Sequence, residues 1–544
     1  MRRRNVHVHV CLQALRTLLL WTACLFSAGV PAQTPRAVAA ADVAAVAQAD
    51  PGSTLAQGWQ QGVFMEIYVR AYQDSDGDGV GDLRGLTQRL DYLQALGVRG
   101  LWLMPIFKSQ DQDHGYAVVD YRAIEPDYGT LDDLDELLKQ AHARGIGVIL
   151  DYTLNHSGAD HPLFEASRSK KTGPYRDWYV WADPAPKGWT IYGKNPWYPD
   201  DFGAYFAGFS DQMPEFNLRN PQVLAWHHDN LRFWLNRGVD GFRFDAVGNL
   251  VENSAMGWEG QEQSHRTMAD VQALLKGYAK RYMVCEAPGD AIGFGAENSC
   301  GSSFAFGHNN RLVSAALGNP GAIEQVAHYF DKAPPGMAQF ASNHDAFAGQ
   351  RLMDRLQGDE ARYRLAAASY LLEPGTPFVY YGEEIGMAGG AGLGGDHRLR
   401  TPMSWSSGAA GFSTVAPFRK PSANVASHNV EREEGAPDSL LSYYRGLIAL
   451  RNQYVSLRIG SYGSVRVEGW SQSFARVAQE ETSLVLLNYA DKPALVPVKD
   501  LPVGSRLQQV WPAAQAGQIL LLDASGAVPL PPLSAAVFIL RNTP

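Results

Sequence analysis

The chain has 544 residues, enough for two to four domains at roughly 150 residues each. Apolar residues at 45% and charged residues at 19% mark a globular chain and exclude a disordered or fibrous one. With 56 acidic against 47 basic residues the net charge is −9, which leaves no electrostatic footprint for nucleic acid or anionic lipid.

Residues 1–32 read as an export signal. Arg2, Arg3 and Arg4 precede an apolar stretch from about Thr17 to Val30, and Val30-Pro31-Ala32 puts small residues at the cleavage positions. The stretch is shorter than the about 20 residues of a bilayer span, so an uncleaved anchor ranks second. Cys24 opens a lipoprotein reading that Trp21 opposes. The only charges before Ala32 are four arginines, and their removal leaves a net −13. The expected mature chain is exported, periplasmic or secreted, without a membrane span, and monomeric. Of its cysteines only Cys285 and Cys300 remain; they either form a disulfide, as export permits, or stay buried thiols.

Residues 33–58 are rich in Ala, Gln and Pro, lack an apolar period and read as a linker. Val63–Val69 is then strand-like, and Leu83–Leu96 carries Leu86, Leu90 and Leu93 at helical spacing. A strand at Gly100–Met104, a helix at Leu131–Ala143 and a strand at Ile146–Leu150 follow. Apolar strands alternating with helices indicate a parallel sheet covered on both faces. Residues 157–216, dense in Trp, Tyr, Pro, Gly and Asp, break the rhythm and read as an inserted subdomain. The alternation resumes with Val223–Leu235, Gly241–Phe244, Met268–Tyr278, Tyr282–Cys285, Ala338–Ala341, Arg362–Leu372 and Pro377–Tyr381, and Ser439–Arg451 is a last helix. The predicted class is α/β: a (β/α)8 TIM barrel over 59–454, with a subdomain inserted after strand 3. Residues 455–544, with strand-like runs between Gly/Pro turns, are predicted to form a C-terminal antiparallel β-sandwich domain.

Acids fall where these strands end: Asp151, Asp245, Glu286 and, through Ser342-Asn343-His344, Asp345. In a parallel barrel those ends share one face, where barrel enzymes build their sites. A single Asp there is often a helix cap; four converging acids are not explained that way. Arg243 and Asp245, two apart on a strand, share a side, and a guanidinium favours an ionised carboxylate. Glu286, beside apolar residues and other acids, is expected to hold its proton. One ionised and one protonated carboxyl suit cleavage of a glycosidic bond. Tyr116, Trp181, Trp189, Trp197 and Phe216 are expected to offer flat faces to sugar rings.

At these residues the chain resembles glycoside hydrolase family 13, the α-amylase family. Asp151-Tyr-Thr-Leu-Asn155-His156, Gly241-Phe-Arg243-Phe-Asp245, Glu286 and Phe340-Ala-Ser-Asn343-His344-Asp345 resemble its four motifs in order. The resemblance implies a retaining mechanism at α-glucosidic bonds, with Asp245 as nucleophile, Glu286 as acid and base, and Asp345 binding hydroxyls of the distorted sugar. It also implies substrate contacts by Asp113, His114, Tyr116, His156 and His344, with Arg243 as the nucleophile's partner.

Asp74, Asp76, Asp78 and Asp82 alternate with other residues, mostly glycine, and acids so spaced can wrap a hard cation. The loop is similar to a structural Ca2+ loop of oligo-1,6-glucosidase-related members, which implies Asp74, Asp76, Asp78, Asp82 and the Val80 carbonyl as ligands. Many α-amylases carry Lys-His three and four positions after the nucleophile, where this chain has Gly248 and Asn249. Met213-Pro214-Glu215-Phe216-Asn217 is similar to a motif of members intermediate between oligo-1,6-glucosidases and neopullulanases, with Glu215 and Phe216 replacing Asp and Leu. The expected activity is that of an α-amylase on α-1,4 bonds of starch-like glucans and maltooligosaccharides. Rivals are an exo-acting α-glucosidase or glucosyltransferase and a non-catalytic sugar-binding relative.

Overall fold

In a computed structural model, residues 38–541 apart from 480 are described; the predicted export signal lies outside them. Side chains alternate across each strand of the central sheet. Phe64, Trp102, Ile149, Val284 and Phe378 pack together on the inner side. Met65, Leu101, Val148, Phe242 and Val379 pack outward in the main core. Seven parallel strands run in the order Tyr282–Cys285, Gly241–Asp245, Gly147–Thr153, Gly100–Leu103, Phe64–Ile67, Thr376–Tyr380 and Ala338–Gln339. The missing stave is Ser303-Phe304, which bridges Cys285 on one side and Ala338 on the other, both in parallel. The barrel is thereby closed with eight staves. The sixth is too short to carry an apolar run, which is why the sequence pattern passes over it.

Helices form where caps and apolar faces coincide. Thr130 and Asp133 make a capping box for Leu131–Ala143, whose Leu134, Leu137, Leu138 and Ala141 are buried. Asn220 caps Pro221–Arg237, and Gly238 ends it in the left-handed region. The helix expected over 83–96 is instead two, Leu83–Gln88 and Leu90–Leu96, joined at Arg89. Arg89 bonds Gln73 and the Gly411 carbonyl and lies 4.0 Å over the Trp405 ring, so tertiary contacts set the break.

The stretch read as a linker is tied down from residue 42 onward, where the Asp42 and Ala44 carbonyls accept from Trp226 and Arg122. Val46 N–H donates to Asp229, Ala49 N–H to Asn236, and Lys280 Nζ to the Leu55 carbonyl, with Leu55 itself buried. Side chains of other elements satisfy this segment, so no period betrays it. The region after the third strand folds around the helix Pro162–Arg168 and a three-stranded antiparallel sheet. Its aromatics mostly build its own interior: Trp181 stacks on Phe164 beneath Arg176, Trp189 and Trp197 pack with Phe206, and Phe216 is buried. Of the five expected sugar platforms, only Tyr116 lines the central cavity.

Beyond the helix Val455–Ile459, six antiparallel strands form a sheet. Leu484 and Leu486 face a small two-stranded sheet, Ala494–Pro497 with Ala527–Leu530, while Val485 and Leu487 join the main core. Among the described residues no helix is long and apolar enough to cross a membrane.

Candidate active site

The inner side of the barrel changes from apolar to charged toward the C-terminal strand ends. Glu66, Asp151, Arg243, Asp245 and Glu286 occupy that end, each under a tenth exposed. Arg243 organises them. Its Nη1 donates to Asp151 at 2.8 Å and to Asp245 at 2.6 Å, and its Nη2 donates to Glu286 at 2.7 Å. Just after Asp245 the backbone of Ala246 adopts φ +48°, a left-handed conformation, and its N–H donates to Glu286 Oε2 at 3.1 Å. One guanidinium and one backbone turn thus hold two carboxyls from neighbouring strands side by side.

Burial raises Glu286 to about 8 against the pull of Arg243, and the charges of Asp245 and Asp345 add to the rise. Burial also raises Asp245, opposed by Arg243 and by a hydrogen bond with Glu286. The arginine therefore works against burial at Asp245 rather than acting alone, as sequence reasoning supposed. Asp151, against Arg243, Tyr116 and Trp102, is raised by burial to about 6.

A second cluster faces the first. His344 Nδ1 lies 2.5 Å from Glu66 and Nε2 lies 3.1 Å from Asp345. Burial opposes a charge on this imidazole, but Asp345 and Glu66 outweigh it and push His344 up to about 10. Arg400 Nη2 donates to Asp345 at 2.9 Å. Despite burial, His344 and Arg400 hold the Asp345 carboxyl well below the usual carboxylate range. The Tyr116 hydroxyl joins the clusters, donating to Asp151 at 3.0 Å and lying 2.8 Å from His344 Nε2.

A cavity of about 530 Å³ opens over this floor. Asp245, Glu286, Asp345, His114, Tyr116 and His156 line it. Burial lowers His156 to about 3, so it presents a neutral imidazole. Arg243 and His344 lie beneath the lining and act through the carboxylates they hold. Asp113 is placed differently. Its Oδ1 accepts from Tyr68 at 2.6 Å and Arg419 at 2.8 Å, its Oδ2 is 3.0 Å from His397, and it does not line the cavity. Sequence reasoning missed Tyr192, Phe209, Phe347, Glu259 and Arg400 on the wall. They come from irregular segments with no period. Glu66 was legible in principle, since an acid inside an apolar barrel strand points inward.

In the acidic loop, carboxylate oxygens of Asp74, Asp76 and Asp78 lie within 4.8 Å of one another. Gly77 and Gly79, at φ +85° and +93°, let the backbone fold around them. Such an oxygen-only set suits a hard divalent cation. Asp82 closes the same loop: it accepts from the Ser75 N–H and hydroxyl and caps Leu83–Gln88 through the Gly85 N–H, while Asp74 accepts from the Gly77 and Gly79 N–H groups and the Ser413 hydroxyl.

Comparison with known proteins agrees with this geometry. A family model described as "Alpha amylase, catalytic domain" matches residues 66–460. The chain is 30% identical to Alpha-amylase 3 of Dictyoglomus thermophilum over 445 residues, covering 79% of this chain and 85% of that protein. It is 31% identical to an oligo-1,6-glucosidase of Heyndrickxia coagulans over 492 residues, covering 75% and 87%. Among solved structures, the α-glucosyl transfer enzyme XgtA superposes with a TM-score of 0.77 at 27% identity, covering 89% of this chain and 99% of that one. An α-amylase from H. orenii superposes with a TM-score of 0.74 at 30% identity, covering 88% and 99%. With the motifs in order, the carboxyls converging on one cavity and the family match spanning the barrel, this chain belongs to the α-amylase family of glycoside hydrolases and transferases, glycoside hydrolase family 13.

Proposed function

We propose that the chain is a retaining hydrolase of α-1,4-glucosidic bonds in starch-like glucans and maltooligosaccharides. The observation that carries this reading is the single Arg243 guanidinium bonded to both Asp245 and Glu286. Retaining enzymes need their two carboxyls about 5–5.5 Å apart, whereas inverting ones leave about 6.5–9.5 Å for a water. Asp245 attacks the anomeric carbon while Glu286 protonates the departing oxygen, and Glu286 then takes a proton from the water that releases the sugar. Asp345, ionised between His344 and Arg400, binds hydroxyls of the distorted ring.

One observation favours the exo-acting reading, an α-glucosidase or glucosyltransferase on the same residues. Next to His114, Asp396 and Arg400 of the cavity wall, Asp113 ties the loop at 109–116 to His397 and Arg419. On that reading the bridge would block a long chain from extending past the cavity. A product time course on maltoheptaose separates the two. A spread of lengths at early times is expected for internal cleavage; glucose alone identifies an exo enzyme, and longer products at high substrate identify transfer.

Asp74, Asp76, Asp78 and Asp82 hold Ca2+ in this reading, with the Val80 carbonyl, and the ion braces the loop rather than entering the reaction. At free Ca2+ a hundredfold above Kd the stabilisation is about 2.7 kcal/mol. Chelation is expected to lower the unfolding temperature, and Asp76→Asn combined with Asp78→Asn to abolish that response. An unfolding temperature insensitive to chelator and Ca2+ contradicts the assignment. Export is part of the same proposal, supported by the arginine-led apolar start and by the Cys285–Cys300 disulfide, a bond that persists in oxidising compartments.

A further inference from the structure

Two carboxylates on the cavity wall belong to none of the family motifs: Asp396, which is paired with Arg400, and Glu259. Glu259 lies on the irregular segment between Gly241–Asp245 and the helix Glu262–Lys276, and it lines the cavity with Glu286 and Asn249. Two glycines make its seat. A β-carbon built at Gly289 would fall 2.4 to 2.7 Å from its carboxylate atoms, and one at Gly248 would fall 3.4 Å from its Cγ. Gly248 stands three residues after Asp245 and Gly289 three residues after Glu286. Glu259 therefore occupies the slot between the turns that follow the two central carboxyls.

The seat is fastened. Gly289 N–H donates to the carboxylate, and Gly260 N–H donates to the Gly248 carbonyl at 2.8 Å. Among the described residues no side chain is recorded as donating to the Glu259 carboxylate. Beside it, the Tyr192 hydroxyl donates to Asn249 Oδ1 at 3.4 Å, and the Tyr192 ring lies 5.7 Å from that of Phe209. Apolar ring faces next to carboxylate and amide acceptors suit a pyranose, which has apolar faces and hydroxyl edges.

Which sugar is decided by the other wall. The ring attacked by Asp245 is gripped by Asp345 and Arg400, and Glu259 touches neither of them. It lies instead along the strand end of Glu286, the acid that serves the departing oxygen. Resting on the reading under Proposed function, we propose that Glu259 is a specificity-determining residue of the leaving-group site, accepting hydrogen bonds from hydroxyls of the departing sugar. The same contact orients an incoming sugar when the glycosyl group is transferred rather than hydrolysed. Gly289 is the glycine this seat requires, because a β-carbon there would collide with the Glu259 carboxylate, whereas one at Gly248 would only touch its Cγ.

The test compares kcat/KM on maltotriose, whose leaving group bears hydroxyls, with that on p-nitrophenyl α-glucoside, whose leaving group has none. In Glu259→Ala and Glu259→Gln the ratio of maltotriose to aryl glucoside is expected to fall about 10- to 100-fold, as for a lost hydrogen bond to a charged group. Unfolding temperatures of both variants establish that they are folded, and Glu259→Gln keeps the shape of the seat. A ratio that does not change, whether both activities fall together or neither falls, overturns the proposal. Wild-type protein that cleaves neither substrate overturns the underlying reading instead.

Discussion

Asp245→Asn is expected to lower kcat on a maltooligosaccharide by a factor on the order of 10⁴ or more, about 5 kcal/mol of transition-state stabilisation. The amide oxygen can still accept from Arg243 Nη1, which lies 2.6 Å from the native carboxylate, so the floor of the cavity is preserved and only the attacking electron pair is lost. Single-turnover kinetics on maltotriose, with the unfolding temperature measured alongside, checks this. Asp245→Ala adds a sharper readout. Azide can enter the vacated space, attack the anomeric carbon of an aryl α-glucoside and expel the phenolate, giving a β-glucosyl azide with inverted configuration. Recovery of that product identifies Asp245 as the nucleophile; an Asp245→Asn enzyme of near wild-type activity removes it from that role.

Glu286 has the second large effect, read through pH. Burial pushes its carboxyl to about 8, so it carries a proton through neutral pH and loses it above. The protonated form is the competent one for the first step, so kcat/KM is expected to fall tenfold per pH unit as pH rises beyond about 8. On the acid side activity needs ionised Asp245, which burial raises, so the lower limb lies above the ordinary carboxylate value of 3.8. In Glu286→Gln the alkaline limb disappears and kcat/KM on maltooligosaccharides falls about 10²- to 10⁴-fold. The fall is smaller for p-nitrophenyl α-glucoside in the first step, because its phenolate departs without a proton. An alkaline limb that survives Glu286→Gln assigns that titration to another group.

The reach of sequence reading follows the physics of each element. Strands of the barrel are buried on both faces and so appear as apolar runs; a carboxylate at the end of such a run has no reason in packing and stands out, which is how Asp151, Asp245 and Glu286 were legible. The helices Leu131–Ala143 and Pro221–Arg237 were legible because a cap precedes an amphipathic period. Ser303-Phe304 was not, since two residues form no pattern and owe their extended pairing to Cys285 and Ala338 on either side. The cavity wall was misread for a related reason. Aromatic density after the third strand marks a subdomain with its own core, and only packing decides that Trp189 and Trp197 turn inward while Tyr192 and Phe209 face the cavity.

The order of the motifs, the alternation of strand and helix and the acids at strand ends were properties of the chain itself, and they determined the barrel and the meeting of Asp245, Glu286 and Asp345 at one cavity. The tertiary structure decided the charge states and the remaining neighbours. A carboxyl's proton affinity depends on water excluded and charges met in space; Asp113 meets Arg419, more than 300 residues away, and Glu259 sits between the turns that follow two different strands, against Gly248 and Gly289. Neither placement is encoded locally, because both depend on segments that meet only when the barrel closes.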